Sequence, residues 1–277
     1  MRSKLNSRAV FFLTIFSIFL IFSCKKNESY EILSDDISLA QVLVKSKLIV
    51  GVNAYNPPMC FYNQKNEVIG FDIDVFKAIA DEMDVDVEFL PMKPAEIIES
   101  IDNGSIDCIA SGFSYSDERN KTYELTKPYL HNAVVFLTLK SHNIKSIEDL
   151  KGKKIGGQKT SLGVDLIKNN PDLMNKFHSV KDSYNNTPQA LLDLKSLGID
   201  ACVGDVSTMA IYLAKEPDMY SLVEDALALN FYVYAFKKGS TALKNEVERV
   251  LFDLEKEGKL EEISRKWFEA DMVIFGK

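Results

Sequence analysis

The sequence predicts an α/β fold that is built as two lobes of similar pattern. Short apolar runs rich in β-branched residues alternate with segments of helical period, as expected of βαβ units around a largely parallel sheet. The pattern restarts after residue 139, and two segments echo each other: residues 104–109 (GSIDCI) and 198–203 (GIDACV). Each predicts a glycine turn, an aspartate and a buried strand. The chain of 277 residues has room for two modest domains rather than one large one.

The first lobe opens with a strand that is followed by an amphipathic helix. In the predicted helix at 73–83 the apolar side chains recur three and four residues apart, and Asp72 is placed to cap its start. The other elements predicted for this lobe are strands at 48–52, 87–90 and 106–110 and a helix at 95–101.

The second lobe follows the apolar stretch 133–139. Its predicted elements are a short helix at 147–150, strands at 154–157 and 199–203, and helices at 162–169 and 188–197. A strand at 231–236 and two helices within 241–267, broken at Gly258, then remain. Because the first lobe is the shorter one, these closing helices are expected to cover its sheet.

The amino terminus predicts export and lipid attachment. A basic segment at 2–8 precedes an apolar run at 9–22, which is shorter than the roughly 20 residues that a membrane-spanning helix needs. Residues 21–24 (IFSC) resemble the bacterial lipobox, although Phe22 stands where a small residue is usual. We expect cleavage before Cys24 and acylation of this residue. The alternative is a cleaved signal, or an uncleaved anchor, in which Cys24 is incidental.

Charge and cysteine content exclude some partners and chemistries. Loss of residues 1–23 removes three positive charges and no negative ones, so the formal charge changes from −7 to −10. Such an acidic chain argues against nucleic acid or an anionic membrane surface as a partner. Cys60, Cys108 and Cys202 remain after Cys24, an odd number that cannot all pair within the chain, and Cys108 and Cys202 lie in apolar runs as small buried hydrophobes would. No CxxC motif or cluster of histidine and cysteine ligands occurs in the sequence, so neither a metal site nor a cofactor is predicted.

Recognition chemistry is expected in residues 108–119 (CIASGFSYSDER). A strand ends in this segment, Gly112 lets backbone approach a ligand, and Ser114 offers a hydroxyl group. Arg119 follows at the start of a helical turn, and its planar guanidinium group matches a carboxylate through two parallel hydrogen bonds. A free amino acid carries a carboxylate and an ammonium group, and each needs a charged or hydrogen-bonding partner once it leaves water. The segment therefore supplies the parts for binding the carboxylate of an amino acid.

At this segment the chain resembles the bacterial extracellular solute-binding proteins of family 3, which are the amino-acid-binding components of ABC importers. Each matching motif is weak by itself, but the motifs keep the family's order over nearly the whole mature chain. They are residues 53–59 (NAYNPPM), 70–74 (GFDID), 108–119, 123–129 (YELTKPY), 149–155 (DLKGKKI) and 258–268 (GKLEEISRKWF).

The resemblance implies a two-lobed periplasmic-binding-protein type II fold in which two crossover strands form a hinge. After the signal peptide at 1–23 and a lipidated tether and leader at 24–44, we expect the first part of lobe one at 45–131, lobe two at 132–229 and the completion of lobe one at 230–277. The two lobes would close around the ligand.

The resemblance also implies roles for individual residues. Arg119 would clamp the ligand's carboxylate, and Asp205 would receive its ammonium group. The other implied contacts are Ser114 and the backbone of Ser161 and Leu162 for the carboxylate, the Gly112 carbonyl beside the ammonium group, and Asn53, Tyr55 or Asn56, and Gln158 along the side-chain pocket. Structural roles are the alternatives: Arg119 on a helix surface, Asp205 as the cap of the next helix, and no ligand contact for Asn53 and Gln158.

Departures from the family pattern bear on the identity of the ligand. Pro94 and Asn56 stand where the family often has aromatic residues, and Thr160 and Ser161 stand where it usually has Gly-Thr. Asn53 takes the place of an acid. A pocket with fewer aromatic walls and no extra acid disfavours lysine, arginine or histidine, so a polar or small neutral amino acid is predicted.

The implied function is that of an extracytoplasmic, membrane-anchored lipoprotein, on the periplasmic side or the cell surface. As a monomer it would deliver a free amino acid to ABC permease subunits, and it would not be an enzyme. One alternative is an enzyme on the same fold, resembling cyclohexadienyl dehydratases. The acidic residues at 72–84 could suggest acid chemistry, but their spacing fits a capped helix with a solvated face. The other alternative is a sensory or adhesive binding lipoprotein.

Overall fold

The computed structural model describes residues 36–277, whose strands form one large mixed sheet and a small second sheet. In chain order the strands are β1 (Lys47–Val52), β2 (Tyr55–Asn56), β3 (Cys60–Tyr62), β4 (Val68–Ile69), β5 (Asp86–Pro91), β6 (Cys108–Ser114), β7 (Glu124–Leu125), β8 (Leu130–Leu139), β9 (Lys154–Gln158), β10 (Ser179–Tyr184), β11 (Ala201–Asp205), β12 (Tyr220–Leu222) and β13 (Ala228–Phe236). The helices are α1 (Ser38–Lys45), α2 (Phe71–Glu82), α3 (Pro94–Asn103), α4 (Asp117–Thr122), α5 (Leu162–Lys168), α6 (Pro171–Lys176), α7 (Thr187–Lys195), α8 (Val206–Lys215), α9 (Thr241–Lys256) and α10 (Lys259–Phe268).

Two long strands join the two halves of the large sheet. The strand order is β10-β9-β11-β8-β13-β6-β1-β5, with β12 added to β8 and β7 added to β13. β1 runs parallel to β5 and β6, and β9 runs parallel to β10 and β11. β8 and β13 lie between these parallel groups and pair antiparallel with each other, with Asn132 opposite Asn230. The α/β fold with two crossover strands is therefore confirmed.

Buried apolar side chains form separate cores on the two sides of the crossover strands. One set of clusters draws on residues 42–130 and 232–275, and the other draws on residues 134–223. We call the part around the first set lobe one and the part around the second set lobe two. Helices α9 and α10 pack on α2 in lobe one, as expected for the closing helices. The predicted boundaries between the lobes, after residues 131 and 229, remain predictions.

Several elements escaped the reading of apolar periodicity. The small sheet β2-β3-β4 consists of strands of two or three residues, which are too short to show an alternating pattern. Helix α1 lies in the segment that the sequence analysis assigns to the leader. Val42 of α1 is fully buried, and the Asp36 carboxylate accepts a hydrogen bond from the Ala242 N–H at 2.5 Å, so this segment is attached to α9.

The prediction that Asp72 caps α2 is wrong. Gly70 occupies the cap position without a side-chain hydrogen bond, and the Asp72 side chain is 0% exposed. The carboxylate points into the protein because its hydrogen-bond donors come from distant parts of the chain rather than from the start of its own helix.

The predicted signal peptide, the predicted lipidation site Cys24 and most of the predicted tether lie outside the described residues. Among residues 36–277, none of the helices combines the length and the apolar composition that crossing a membrane requires.

The three cysteines of the described part are buried, unpaired thiols. Burial raises the pKa of the Cys60 and Cys108 thiols well above the ordinary value, and it raises the pKa of Cys202 to about 12. Because the thiolate is the reactive form, we expect the folded chain without residues 1–24 to resist a thiol reagent such as DTNB. The same chain unfolded in urea should react at all three thiols, which is measured as the absorbance of the thionitrobenzoate that DTNB releases. A thiol that reacts rapidly in the folded protein would contradict the described burial.

Candidate ligand-binding site

A cavity opens between the two lobes at the carboxyl ends of the parallel strands. β1 and β6 lead to it from lobe one, and β9 and β11 lead to it from lobe two. In open α/β sheets this edge is where ligands bind. The volume that the centres of water molecules can occupy in the cavity is about 90 Å³. A single water needs roughly 10–15 Å³ on the same measure, so the cavity has room for several waters or for a small ligand.

The cavity wall combines polar groups from both lobes with an apolar corner. Arg119 and Asp205 are the ionisable side chains among the lining residues. The full lining is Asn53, Asn56, Pro94, Ile97, Ile98, Ile109, Ser111, Gly112, Phe113, Ser114, Arg119, Gln158, Thr160, Ser161, Leu162, Thr187, Val203, Gly204, Asp205 and Thr208.

Helix α4 presents Arg119 to the cavity, and contacts from both lobes fix its guanidinium group. Nη1 donates to the Ser114 carbonyl oxygen at 2.7 Å, and Nη2 donates to the Thr160 carbonyl oxygen at 3.0 Å. The guanidinium carbon lies 4.3 Å from the centre of the Phe113 ring. Two of the five N–H groups are thus engaged by carbonyls, and others remain to bind an anion. The alternative of a surface helix residue does not fit this placement.

Asp205 ends β11 and faces Arg119 from the other lobe. Asn132 Nδ2 donates to its Oδ1 at 2.7 Å, and the Ser114 hydroxyl group approaches the same oxygen at 3.5 Å. Burial raises the pKa of Asp205 above its ordinary value, although the Asn132 amide and the Arg119 guanidinium act in the opposite direction. The Asp205 side chain makes no capping bond to α8 within the described residues, so the helix-cap alternative is not supported.

Burial and nearby carboxylates act in opposite directions on Arg119. Burial lowers the pKa of Arg119, whereas Asp165 and Asp205 raise it. An arginine remains protonated through such changes because its ordinary pKa lies above 12. The site therefore offers one fixed positive charge and one carboxylate, on opposite lobes.

Side-chain amides connect the two lobes across the cavity. Asn53 Nδ2 donates to Gln158 Oε1 at 3.2 Å. The Thr208 hydroxyl group donates to Asn56 Oδ1, and Asn56 Nδ2 donates to the Ser111 carbonyl oxygen at 2.6 Å. Part of the hydrogen-bonding capacity that the sequence analysis assigned to the ligand's side chain is therefore used within the protein.

The structure brings nine of the ten predicted site residues to the cavity: Asn53, Asn56, Gly112, Ser114, Arg119, Gln158, Ser161, Leu162 and Asp205. Tyr55 is the exception. Its side chain is 45% exposed, and its ring packs edge-on against Tyr62 with ring centres 5.9 Å apart. Because successive residues of a strand point to opposite faces, Asn56 faces the cavity when Tyr55 faces outward. The binding roles of the nine residues remain predictions.

Some residues at the site were missed by sequence reasoning. Thr160, Thr187, Thr208 and Phe113 line the cavity. Phe113 and Thr160 lie in segments that the sequence analysis singled out, but no binding role was given to them. No local pattern distinguishes Thr187 and Thr208 from ordinary loop or helix residues. Asn132 supports Asp205 from the crossover strand β8. Asn132 directly precedes the apolar stretch 133–139, and what distinguishes its amide is its burial, which shows only in the fold.

Comparison with known proteins places this geometry in a family. The sequence pattern of the bacterial extracellular solute-binding proteins, family 3, matches residues 48–270. The L-cystine-binding protein TcyJ of Escherichia coli (strain K12) is 28% identical over 244 residues, covering 87% of this chain and 89% of the relative.

Solved structures agree with the two-lobed fold. The crystal structure of Tv2483 bound to L-arginine has a TM-score of 0.83 and 30% identity, and the match covers 87% of this chain and 98% of that one. The ancestral amino acid-binding protein AncCDT-1, a precursor of cyclohexadienyl dehydratase, has a TM-score of 0.74 and 30% identity, with 83% of this chain and 99% of that one covered. The fold is thus shared with binding proteins, and in one of these structures with the precursor of an enzyme.

Proposed function

The chain belongs to the bacterial extracellular solute-binding proteins of family 3, and from this premise we propose that it binds a free neutral amino acid between its lobes for delivery to an ABC permease. The observation that carries the proposal is the pair of opposite charges, Arg119 from lobe one and Asp205 from lobe two, in the lining of one cavity. Arg119 receives the ligand's carboxylate, and Asp205 receives its ammonium group. These two contacts satisfy both charged ends of the zwitterion, which neither lobe does alone.

The preference for a neutral side chain follows from the rest of the wall. Apart from Arg119 and Asp205, the lining residues are uncharged. A ligand with a charged side chain would lose its hydration without gaining a partner of opposite charge. Polar groups of Gln158 and the threonines suit a polar or small neutral side chain instead. Binding proteins of this family for arginine or cystine need not share this wall.

Closure of the lobes follows from where the contacts lie. A ligand that touches Arg119 in lobe one and Asp205 in lobe two favours the closed arrangement, because only that arrangement supplies both contacts. The crossover strands β8 and β13 serve as the hinge. The permease reads the closed form, and acylated Cys24, outside the described residues, holds the protein at the membrane.

A thermal-shift screen against the twenty amino acids and common organic cations tests the proposal. A ligand present at a hundred times its Kd stabilises the protein by about 2.7 kcal/mol, which corresponds to about 5–11 °C in Tm for a chain of this size. We expect one or more neutral L-amino acids to produce such a shift. The same amino acid as its amide or its N-acetyl derivative is the control, and both should fail because each lacks one charged end.

The opposite result of the screen is also informative. If organic cations or basic amino acids alone shifted the Tm, the proposed neutral pocket would be wrong. The relation of the fold to a dehydratase precursor adds one further measurement. We expect mass spectrometry to recover the bound amino acid unchanged after long incubation, whereas a new product would favour an enzyme.

A further inference from the structure

A buried carboxylate lies behind the cavity wall, and none of the proposed ligand contacts uses it. Asp72, the second residue of α2, is 0% exposed. Its Oδ2 accepts hydrogen bonds from the Ser111 N–H at 2.9 Å, the Gly112 N–H at 2.7 Å and the Tyr129 hydroxyl group at 3.0 Å. Its Oδ1 accepts a hydrogen bond from the Tyr234 hydroxyl group at 2.9 Å. A buried charge is tolerated where hydrogen bonds of this kind compensate its lost hydration.

The two backbone donors belong to an irregular part of β6. The pairing of β6 with β13 shifts register between Val233 and Ala235, so Ser111 and Gly112 lie outside the regular ladder. Ser111 has a φ of 117° and Gly112 a φ of 70°. The first value is unfavourable for a residue with a side chain, and such conformations persist where the surroundings hold them. The strand pairing provides no acceptor for these two N–H groups, and the Asp72 carboxylate accepts hydrogen bonds from both.

The same dipeptide sets the position of two residues in the cavity wall. The Ser111 hydroxyl oxygen accepts a hydrogen bond from the Asn53 N–H at 2.9 Å. The Ser111 carbonyl oxygen accepts one from Asn56 Nδ2 at 2.6 Å. A shift of Ser111 would therefore displace the two oxygens that hold Asn53 and Asn56 through hydrogen bonds, and it would displace Gly112 as well.

The two tyrosine donors connect Asp72 to the hinge. Tyr129 directly precedes β8, Tyr234 lies within β13, and their rings stack with centres 4.2 Å apart. Both crossover strands are thus tied to the carboxylate that holds the irregular part of β6.

We propose that Asp72 is a positioning residue for the ligand site, whose carboxylate holds Ser111 in its unfavourable backbone conformation and Gly112 beside it, and so places Asn53 and Asn56. This inference rests on the proposed function as far as ligand affinity is concerned, but the backbone effect does not depend on any ligand. Burial raises the pKa of Asp72 to about 6, so the carboxylate is ionised at neutral pH.

The chain offers variants that separate positioning from general stability. Asp72→Ala removes both bonds to the backbone N–H groups. Asp72→Asn keeps one oxygen that can accept from both N–H groups, while its NH₂ group can donate to the Tyr234 hydroxyl group. Tyr234→Phe removes a buried hydrogen bond to the same carboxylate but leaves the backbone bonds in place. If Asp72→Ala does not fold, Asp72→Ser is the substitute. The serine side chain is too short for its hydroxyl group to reach the two N–H groups, and it leaves a smaller void than alanine.

The first measurement is hydrogen–deuterium exchange of the ligand-free proteins, resolved to single amides. We expect exchange at Ser111 and Gly112 to rise at least tenfold in Asp72→Ala, and to change less than threefold in Asp72→Asn and Tyr234→Phe. Unchanged exchange in Asp72→Ala, or an equal rise in Tyr234→Phe, would overturn the proposal.

The second measurement is calorimetric titration with L-glutamine as the probe. Affinity should fall at least fivefold in Asp72→Ala and stay within threefold in Asp72→Asn and Tyr234→Phe, even where Tyr234→Phe lowers the Tm. Affinities that simply follow the Tm across the series would contradict positioning. If the unchanged protein does not bind L-glutamine, the failure concerns the proposed ligand class, and the exchange measurement still decides the role of Asp72.

Discussion

Arg119→Ala is expected to weaken binding of the neutral amino acid at least tenfold while leaving the fold intact. The variant removes the cation that faces the cavity beside Ser114 and Thr160. The ligand's carboxylate would then be buried without a partner, and truncating one member of a desolvated charge pair typically costs about 2–5 kcal/mol. Isothermal titration calorimetry measures the change directly.

Two further variants make the Arg119 result specific. Arg119→Lys keeps the positive charge but loses the planar pair of donors, so its affinity should fall between those of the unchanged protein and Arg119→Ala. Arg249→Ala is the matched control, because Arg249 lies on α9 in lobe one and pairs with Glu246 and Asp253 at the surface. Its affinity should stay unchanged. Equal affinity of Arg119→Ala and Arg249→Ala would remove Arg119 from the site.

Arg119 was predicted from its own segment, residues 108–119, which supplies groups for binding a carboxylate, whereas the role of Asp205 came from the resemblance to the family. Arg119 follows a strand and a glycine, and Asp205 ends a strand, so each lies at the edge where ligands of α/β sheets bind. The lobes could be predicted for a similar reason, since apolar strands and amphipathic helices repeat along the chain. These signals are local, and local signals survive in a single sequence.

The buried environment of Asp72 could not be predicted from the local sequence. A carboxylate near the start of a helix usually caps it or faces solvent, and the neighbouring acids at 74, 81, 82 and 84 favoured that interpretation. Its four donors come from residues 111, 112, 129 and 234. No pattern within the helix records that these groups converge on one carboxylate. Burial of a polar group by distant partners is a property of the folded chain.

The choice between Tyr55 and Asn56 stayed open in the sequence for a different reason. Strand β2 has only two residues, which is too short for an alternation of apolar and polar side chains that would show which face is buried. The structure decides through partners on other elements, since Thr208 and Ser111 both hydrogen-bond to Asn56.

Gly70→Ala is expected to destabilise the protein by about 3–5 kcal/mol, which corresponds to a fall in Tm of roughly 6–20 °C. Gly70 has a φ of 148° and a ψ of 176°, a region that residues with a Cβ hardly enter. A Cβ added there would lie 2.2 Å from the Met59 carbonyl oxygen and 2.8 Å from the Cys60 nitrogen. Both obstacles are backbone atoms, so no side-chain rotation relieves the overlap.

The backbone around Gly70 has little freedom to move away. The Phe71 N–H donates to the Pro58 carbonyl oxygen at 2.9 Å, and the Asp72 N–H donates to the Met59 carbonyl oxygen at 3.1 Å. Relief of the overlap would break these bonds and displace Asp72. We therefore expect Gly70→Ala to combine its loss of stability with faster amide exchange at residues 111 and 112.

Gly104→Ala is the matched control for Gly70→Ala. Gly104 also has a positive φ, 81°, but an added Cβ there meets no atom of the described residues within 4 Å. Its cost should therefore be limited to the left-handed conformation, about 1–2 kcal/mol. Urea denaturation of the three proteins measures both values. Equal destabilisation by the two substitutions would show that the positive φ alone accounts for the cost. The close approach of Gly70 to the Met59 backbone would then not be the reason for a glycine at this position.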